Sequence, residues 1–140
     1  IRGIREAIGH LGAGHPLGFF PSGAVSDFSL RDMKVRDRPW QESILHLIHS
    51  VKVPVLPIRF FDMNSAFFYF LGLINWRVRL LRLPSEVFNK RGSQQRIGIG
   101  EIISVDEQSR FTDASSLGEY LRKKVYEMPM PEKFVHGNLI

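Results

Sequence analysis

An uncharged run of nine residues at positions 66–74, Ala-Phe-Phe-Tyr-Phe-Leu-Gly-Leu-Ile, limits the possible folds more than any other segment. Its large side chains gain free energy on leaving water, so the run has to meet other apolar material. Nine residues are too few to cross a bilayer, which takes about 20 apolar residues. This segment, named here the aromatic run, predicts either a buried helix or an element lying at a membrane surface.

A dense group of basic residues follows the aromatic run. The segment between Trp76 and Ile97 contains six cations and a single acid, Glu86, and its excess of +5 equals the net charge of the whole chain. The remaining residues balance at 13 basic and 13 acidic. The six cations form what we call the basic stripe: Arg77, Arg79, Arg82, Lys90, Arg91 and Arg96.

Aromatic residues beside arginines are typical of an interfacial membrane contact. The rings would lie at the boundary between acyl chains and headgroups, and each arginine would gain about 1 kcal/mol near anionic lipid. A buried helix with a solvated basic surface fits the same pattern. An acidic acyl carrier protein fits the basic stripe equally well. Nucleic acid is not expected, because the chain has one local basic cluster and no recognised nucleic-acid-binding motif.

Composition limits the class of protein further. A chain of 140 residues suits one domain, residues 1–140, with enough surface buried to form a core. Eleven phenylalanines and 24% charged residues exclude intrinsic disorder. The absence of cysteine excludes disulfides and cysteine-based metal sites. His46 and His49 are three residues apart on a predicted helix, but no third ligand accompanies them, so no metal and no cofactor is expected.

Helix and strand signals alternate along the chain. Apolar spacing predicts helices at 1–11 and 40–51, with Pro39 in the first turn of the second. Strands are expected at 17–20, 53–61 and 95–104, and residues 26–38 are expected to form a loop. Further predictions are a short helix at 84–90 and a C-terminal helix and tail at 105–140, with Asp113 as the helix cap. This order favours an α/β fold, with a mainly parallel or mixed sheet flanked by helices.

The segment Phe20-Pro21-Ser22-Gly23-Ala24-Val25-Ser26 follows the first predicted strand. The carboxyl ends of strands in open α/β sheets are the usual ligand sites. A plain turn between a strand and a loop would produce the same pattern. Elsewhere the sequence shows no nucleophile elbow, phosphate-binding loop, dinucleotide fingerprint or zinc-protease motif.

Several motifs, taken in order, resemble the glycerolipid (lysophosphatidate-type) acyltransferase superfamily. The closest likeness is to its bacterial hemolysin-like branch, which includes ornithine-lipid acyltransferases. Residues 20–26 resemble the third block, Phe-Pro-x-Gly-Glu-Val-Ser in this branch, and residues 53–58, Val-Pro-Val-Leu-Pro-Ile, resemble the fourth. Asp37-Arg38-Pro39-Trp40 resembles the Asp-x-x-Trp between them, and residues 83–86 and 98–103 resemble a later helix and strand. The resemblance covers about residues 1–104.

The resemblance implies transfer of an acyl group from acyl carrier protein or acyl-CoA to a lyso-lipid hydroxyl. It implies a peripheral location on the cytoplasmic face of a bacterial inner membrane. The acceptor would be bound by Phe20, Pro21, Ser22, Gly23 and Ser26. The neighbouring strand end would be shaped by Val53, Pro54 and Pro57. Contact with the membrane or the acyl carrier would come from Phe67, Phe68, Phe70, Arg77, Arg79 and Arg82.

Two departures from the family pattern modify this expectation. None of the histidines is followed five positions later by Asp, so the catalytic His-x-x-x-x-Asp block is missing and no residue of this chain is assigned a catalytic role. In the family that block precedes the third block. We therefore expect the C-terminal part of an acyltransferase domain, inactive alone and able to form a homodimer through an exposed sheet edge or apolar surface.

The second departure is Val25, which replaces the family arginine that would pair with an acceptor phosphate. Loss of that cation favours an acceptor without a phosphate, such as an amino-acid-derived lyso-lipid. The alternative interpretation is a non-catalytic module that binds anionic membrane or an acidic protein. In that case the family-like motifs would serve only as scaffold.

Overall fold

The computed structural model describes residues 2–130 and Glu132. Its helices are α1 (Arg2–Gly12), α2 (Glu42–Val51), α3 (Ala66–Ile74), α4 (Trp76–Leu81), α5 (Leu83–Asn89), α6 (Val105–Gln108) and α7 (Ala114–Tyr126). Its strands are β1 (Asp27–Ser29), β2 (Lys34–Arg36), β3 (Ile58–Phe60) and β4 (Ile97–Ile99). The chain therefore mixes helices with short strands. The rest of the C-terminal tail lies outside the described residues.

Local capping explains where several helices begin. The carboxylate of Asp113 accepts the backbone N–H of Ser116 at 2.8 Å, which confirms the predicted start of α7. The hydroxyl of Ser65 accepts the N–H of Phe68 at 3.2 Å and starts α3. The aromatic run is therefore a helix. The helix predicted from residue 40 begins two residues later, at Glu42, and Pro39 precedes it.

The strands form two separate two-stranded sheets, β1 with β2 and β3 with β4. The first is an antiparallel hairpin in which Phe28 faces Val35. In the second, hydrogen bonds from Gly100 to Pro57 and from Phe61 to Arg96 give the same antiparallel sense. Among the described residues no parallel pairing occurs, so the expected mainly parallel sheet is not found there.

Two local predictions were wrong, and proline explains the first. Residues 17–20 were expected to be a buried strand but lie outside the helices and strands, with Phe20 72% exposed. Pro16 and Pro21 flank the segment and offer no N–H for a ladder. The expected loop at 26–38 contains the β1–β2 hairpin instead. Its turn uses Met33 at a φ of 53° rather than the usual glycine.

The described residues form two compact units. The first unit contains residues 2–24, 39–59 and 99–128. Its core consists of Ile48, Ile103, Leu117 and Leu121. Helices α2 and α7 approach closely at Gly118, where an added Cβ would lie 2.5 Å from Cδ1 of Leu45.

The second unit contains residues 25–38, 60–98 and the described end of the chain. Its buried apolar residues are Phe68 and Tyr69 of α3, whose rings meet edge to face with centroids 5.6 Å apart. Two charged residues, Arg79 and Glu86, are each only 3% exposed beside them. The interior of this unit is therefore partly ionic.

Candidate functional site

The segment expected to bind the acceptor contains a tight turn in the first unit. The N–H of Gly23 donates to the carbonyl of Phe20 at 2.9 Å, and Gly23 has a φ of 60°, a value that favours glycine. The turn is held at the start of α2, where the N–H of Gln41 donates to the carbonyl of Pro21 at 2.9 Å. A Cβ on Gly23 would lie only 2.0 Å from Nε2 of Gln41.

The side chains of this turn differ in what they can contact. Ser22 is buried, and its hydroxyl donates to the carbonyl of Ala24 at 3.0 Å. Phe20 and Gly23 are exposed. Of the residues expected to bind the acceptor here, Phe20 and Gly23 are thus accessible, while Ser22 stabilises the turn.

Ser26, the remaining residue of that set, belongs to the second unit. Its hydroxyl donates to the carboxylate of Asp37, the first residue of the Asp-x-x-Trp motif. Its carbonyl accepts a hydrogen bond of 3.2 Å from Nη1 of Arg79. Both polar groups of Ser26 are therefore engaged within the second unit.

The strand-end residues Val53, Pro54 and Pro57 belong to the first unit. The two prolines flank an antiparallel bridge between Val55 and Ile103, and Pro57 immediately precedes β3. Neither proline can donate to a ladder, and the regular part of the strand expected at 53–61 begins only at Ile58. Pro57 is buried and Pro54 is exposed.

The buried side chain of Gln108, which the sequence analysis did not single out, links the segment at Val53 to Ile103. Nε2 of Gln108 donates to the carbonyls of Val53 and Ile103 at 2.9 and 3.1 Å. No local pattern distinguishes it from an exposed glutamine in a short helix.

Helices α3, α4 and α5 of the second unit expose many large apolar side chains. On α3 the exposed positions fall on one stripe, with Phe67, Phe70 and Ile74 separated by three and four residues. Leu81, at the end of α4, is 82% exposed. We call the whole set the α3–α5 surface: Phe67, Phe70, Leu73, Ile74, Trp76, Val78, Leu80, Leu81, Val87 and Phe88.

Two of the six residues expected to contact a membrane or carrier do not belong to that surface. Phe68 is fully buried in the core of the second unit. Arg79 is buried because its Nη1 lies 2.5 Å from the carboxylate of Asp27 and its guanidinium lies over the ring of Phe68. Phe68 and Arg79 therefore have structural positions, and contact with a membrane or carrier stays a prediction for Phe67, Phe70, Arg77 and Arg82.

The exposed arginines stack on aromatic rings of the α3–α5 surface. The guanidinium of Arg77 lies 5.4 Å from the ring centroid of Trp76, and that of Arg82 lies 5.0 Å from that of Phe67. Arg96, by contrast, is held by Asp62 through contacts of 2.6 and 2.9 Å. Nε of Arg82, whose side chain is 39% exposed, also lies 3.9 Å from the carboxylate of the buried Glu86. In the basic stripe, Arg79, Arg82 and Arg96 therefore contact carboxylates, and Arg82 lies against an apolar ring as well.

Asp27 is a central residue of the second unit that the sequence did not indicate. Its carboxylate contacts Arg38 at 2.8 Å and Arg79 at 2.5 Å. Partial burial raises the pKa of Asp27, but hydrogen bonds from the two guanidinium groups outweigh this and hold the pKa below its usual value.

Glu86, the single acid of the basic stripe, anchors the start of α3. Its two carboxylate oxygens accept the backbone N–H and the hydroxyl of Ser65 at 2.8 and 2.6 Å. Burial raises the pKa of Glu86, and the two hydrogen bonds from Ser65 more than compensate, so the pKa lies below its usual value. Glu86 is thus an ionised structural acceptor.

Two wider surveys cover the described part of the chain. Within residues 2–130 and Glu132, no three histidine, aspartate or glutamate side chains cluster as a metal site would require. In the same residues, every helix is too short or too polar to cross a membrane. Comparison of the chain with protein-family models, with curated proteins and with solved structures finds no match.

Proposed function

We propose that the chain is part of a membrane-associated acyltransferase that moves an acyl group from a carrier thioester to a lyso-lipid hydroxyl. The observation that carries the proposal is the turn at Pro21–Gly23. The residues that resemble the family's acceptor-binding block form a defined corner whose glycine has a left-handed conformation and is exposed. A glycine at such a corner lets a ligand approach the backbone closely.

The proposed roles follow from what each residue contacts. Phe20 and Gly23 face the acceptor, while Ser22 and Gln41 hold the turn. Pro54 and Pro57 set the end of the neighbouring strand. The proposed finer fold is an α/β acyltransferase domain around a mainly parallel or mixed sheet, of which these residues supply the C-terminal part.

In the proposed reaction the acceptor oxygen attacks the thioester carbonyl. A general base takes the hydroxyl proton as the new C–O bond forms. The C–S bond then breaks, and the base returns that proton to the leaving thiolate, so that the carrier departs as a thiol. Such a base contributes about 10²–10⁴ in rate. Because the 140 residues contain no His-x-x-x-x-Asp pair, the proposal assigns proton removal to residues outside them. The 140-residue chain alone is then expected to show no acyl transfer.

The test is an assay of the complete product of the gene with a carrier thioester and two acceptors. We expect acylation of a lyso-ornithine lipid and none of lysophosphatidic acid, because Val25 replaces the phosphate-pairing arginine. Acylation of lysophosphatidic acid would overturn the proposed acceptor class. No transfer to either acceptor would overturn the enzyme and favour the non-catalytic module that binds anionic membrane or an acidic protein.

A pair of glycine variants tests the role of the turn. Gly23→Ala should raise the acceptor KM for two reasons. Alanine disfavours the left-handed φ of this position, and its methyl group would collide with the side chain of Gln41. Gly14→Ala is the matched control, because Gly14 has a φ of 80° and nothing within 4 Å of its added Cβ. Equal effects of the two variants on KM would show that the turn has no role in acceptor binding.

A further inference from the structure

We infer that the second unit docks on an anionic lipid surface through the α3–α5 surface. The inference rests on the membrane association in the proposed function and names the elements and the lipid class involved. Its test requires no acyl transfer, so the two proposals can fail separately.

The first step is the inverted polarity of α4 and α5. Arg79 and Glu86 are buried, while Leu81, Val87 and Phe88 are exposed, the last by 73%. Water favours the reverse arrangement, because lysine, arginine, aspartate and glutamate are almost never fully buried and large apolar groups gain free energy on burial. Nη1 of Arg79 contacts Asp27 and the carbonyl of Ser26, although its buried Nε has no hydrogen-bond partner among the described residues. Both carboxylate oxygens of Glu86 accept from Ser65, so each buried charge has a partner within this unit.

The second step is the composition of the exposed set. Ten of the 26 exposed large apolar residues in the described part of the chain belong to α3, α4 and α5, and exposed apolar surface of this kind is a feature of interaction sites. Phe67, Phe70 and Ile74 form a charge-free stripe along α3, and Trp76 follows at the start of α4. Aromatic residues, tryptophan above all, favour the boundary between headgroups and acyl chains.

The third step is the position of the cations. Arg77 and Arg82 stack on Trp76 and Phe67, so each guanidinium lies beside an apolar group that could enter the acyl region. Long basic side chains at such positions place their charge among headgroups. Lys90 and Arg91 follow α5 and add to the same local charge. Headgroup phosphates therefore complement the cations, and acyl chains complement the apolar residues.

An acidic carrier protein complements only half of this surface. Its acidic groups would pair with Arg77 and Arg82, but most of the exposed apolar residues would then lie against a charged protein surface. A lipid surface supplies both chemistries at once. The carrier protein is kept as an outcome of the experiment.

The two tryptophans allow a direct test with the 140-residue chain. Trp40→Phe leaves Trp76 as the reporter on the α3–α5 surface, and Trp76→Phe leaves Trp40, which packs against the core of the first unit. We expect vesicles containing phosphatidylglycerol to shift the Trp76 emission to shorter wavelength and to leave the Trp40 emission unchanged. Phosphatidylcholine vesicles should have a weaker effect. No shift for Trp76, or a shift produced by acidic acyl carrier protein and not by vesicles, would overturn the inference.

Co-sedimentation with vesicles gives a second measurement, for which both tryptophans are kept. Arg77→Gln should weaken binding to phosphatidylglycerol vesicles about fivefold, and Arg77→Gln with Arg91→Gln about 25-fold. Arg5→Gln with Arg110→Gln is the matched control, since both residues are exposed in the first unit. If both pairs of substitutions weakened vesicle binding equally, binding would depend only on the net charge of the chain, and the inference would be overturned.

The apolar contribution is tested separately. Phe70→Ser with Leu81→Ser should reduce binding at least about tenfold, because both exposed apolar side chains would leave water on docking. Ile102→Ser is the control, because Ile102 is 65% exposed in the first unit. Unchanged binding of the double variant would overturn the inference even if the arginine variants behaved as expected. Acyl transfer to a detergent-dispersed acceptor, measured on the complete product of the gene carrying the same substitutions, reports on the proposed function alone.

Discussion

Arg38 and Arg79 contact the same carboxylate, Asp27, from different surroundings. Arg38 is about half exposed, whereas the side chain of Arg79 is almost completely buried. Arg79 also donates to the carbonyl of Ser26, and its stem packs against Gly72, where an added Cβ would lie 2.9 Å from Cδ. The buried partner therefore combines charge, hydrogen bonding and packing in one residue.

This pair yields a prediction at the residue scale. Arg79→Gln should lower the free energy of unfolding by about 2–3 kcal/mol, because charge-assisted hydrogen bonds in a buried setting are lost. Arg38→Gln should lower it by less than about 1 kcal/mol, as for other exposed ion pairs. Urea unfolding of the 140-residue chain, followed by circular dichroism, measures both. Equal losses would mean that burial does not distinguish the two contacts.

At the element scale, the ends of α7 and α3 depend on single acceptors. Asp113 caps α7, and hydrogen bonds from Ser116, the backbone N–H first and the hydroxyl next, hold the pKa of Asp113 below its usual value. For α3 the capping residue Ser65 is itself held by Glu86. The first cap is local in sequence, and the second depends on a helix two elements further along the chain.

Replacement of the local cap gives the element-scale prediction. Asp113→Ala should cost about 1 kcal/mol of unfolding free energy, because the N–H of Ser116 loses its acceptor at the start of the helix. Asp113→Asn should retain most of that stability, since asparagine caps nearly as well. Urea unfolding of the two variants, followed by near-UV and far-UV circular dichroism, compares their free energies of unfolding. The interpretation fails if alanine and asparagine are equally destabilising.

At the scale of the whole molecule, several carboxylates respond to pH in the same direction. Asp27, Asp62, Glu86 and Asp113 all have a pKa below its usual value in the folded chain. The folded state then binds fewer protons than the unfolded state at acidic pH. The stability these groups contribute is complete above their ordinary pKa values, about 3.9–4.3, and is lost as the pH falls through the lowered folded values.

The unfolding free energy should therefore hold level from pH 7 to about pH 5 and decline below that. Urea midpoints measured between pH 7 and pH 3 test this. Asp27→Asn should flatten the acidic decline, because one of the contributing carboxylates is removed. A midpoint that stays constant down to pH 3 would contradict the assigned pKa directions.

Local signals account for the parts of the fold that the sequence predicted well. The apolar spacing at Ile4, Ile8 and Leu11 lies within α1, and the Asp113 cap begins α7. The β1–β2 hairpin was missed because its turn residues, Leu30 to Met33, contain neither glycine nor asparagine. The prediction of a strand at 17–20 was wrong, because this short apolar segment lies between two prolines and pairs with no other strand.

For the candidate site, the sequence indicated the motif but not the orientation of its residues. The motif containing Gly23 was identified from the sequence, and Gly23 has a left-handed φ with the side chain of Gln41 close to where a Cβ would lie. The outward position of Gly23 and the inward position of Ser22 could not be predicted, since adjacent residues of a turn differ only through its conformation. Gln41 was missed because its contact with the turn joins residues far apart in the chain.

The sequence by itself determined the helix starts at local caps, the strand limits at prolines, and the position of an apolar segment beside excess positive charge. These features depend on neighbours within a few residues. Only the tertiary structure decided that Arg79 and Glu86 lie inside while Leu81 and Phe88 lie outside. The physical reason is that burying a charge requires a partner, and Asp27 and Ser65, which supply it, come from distant parts of the chain.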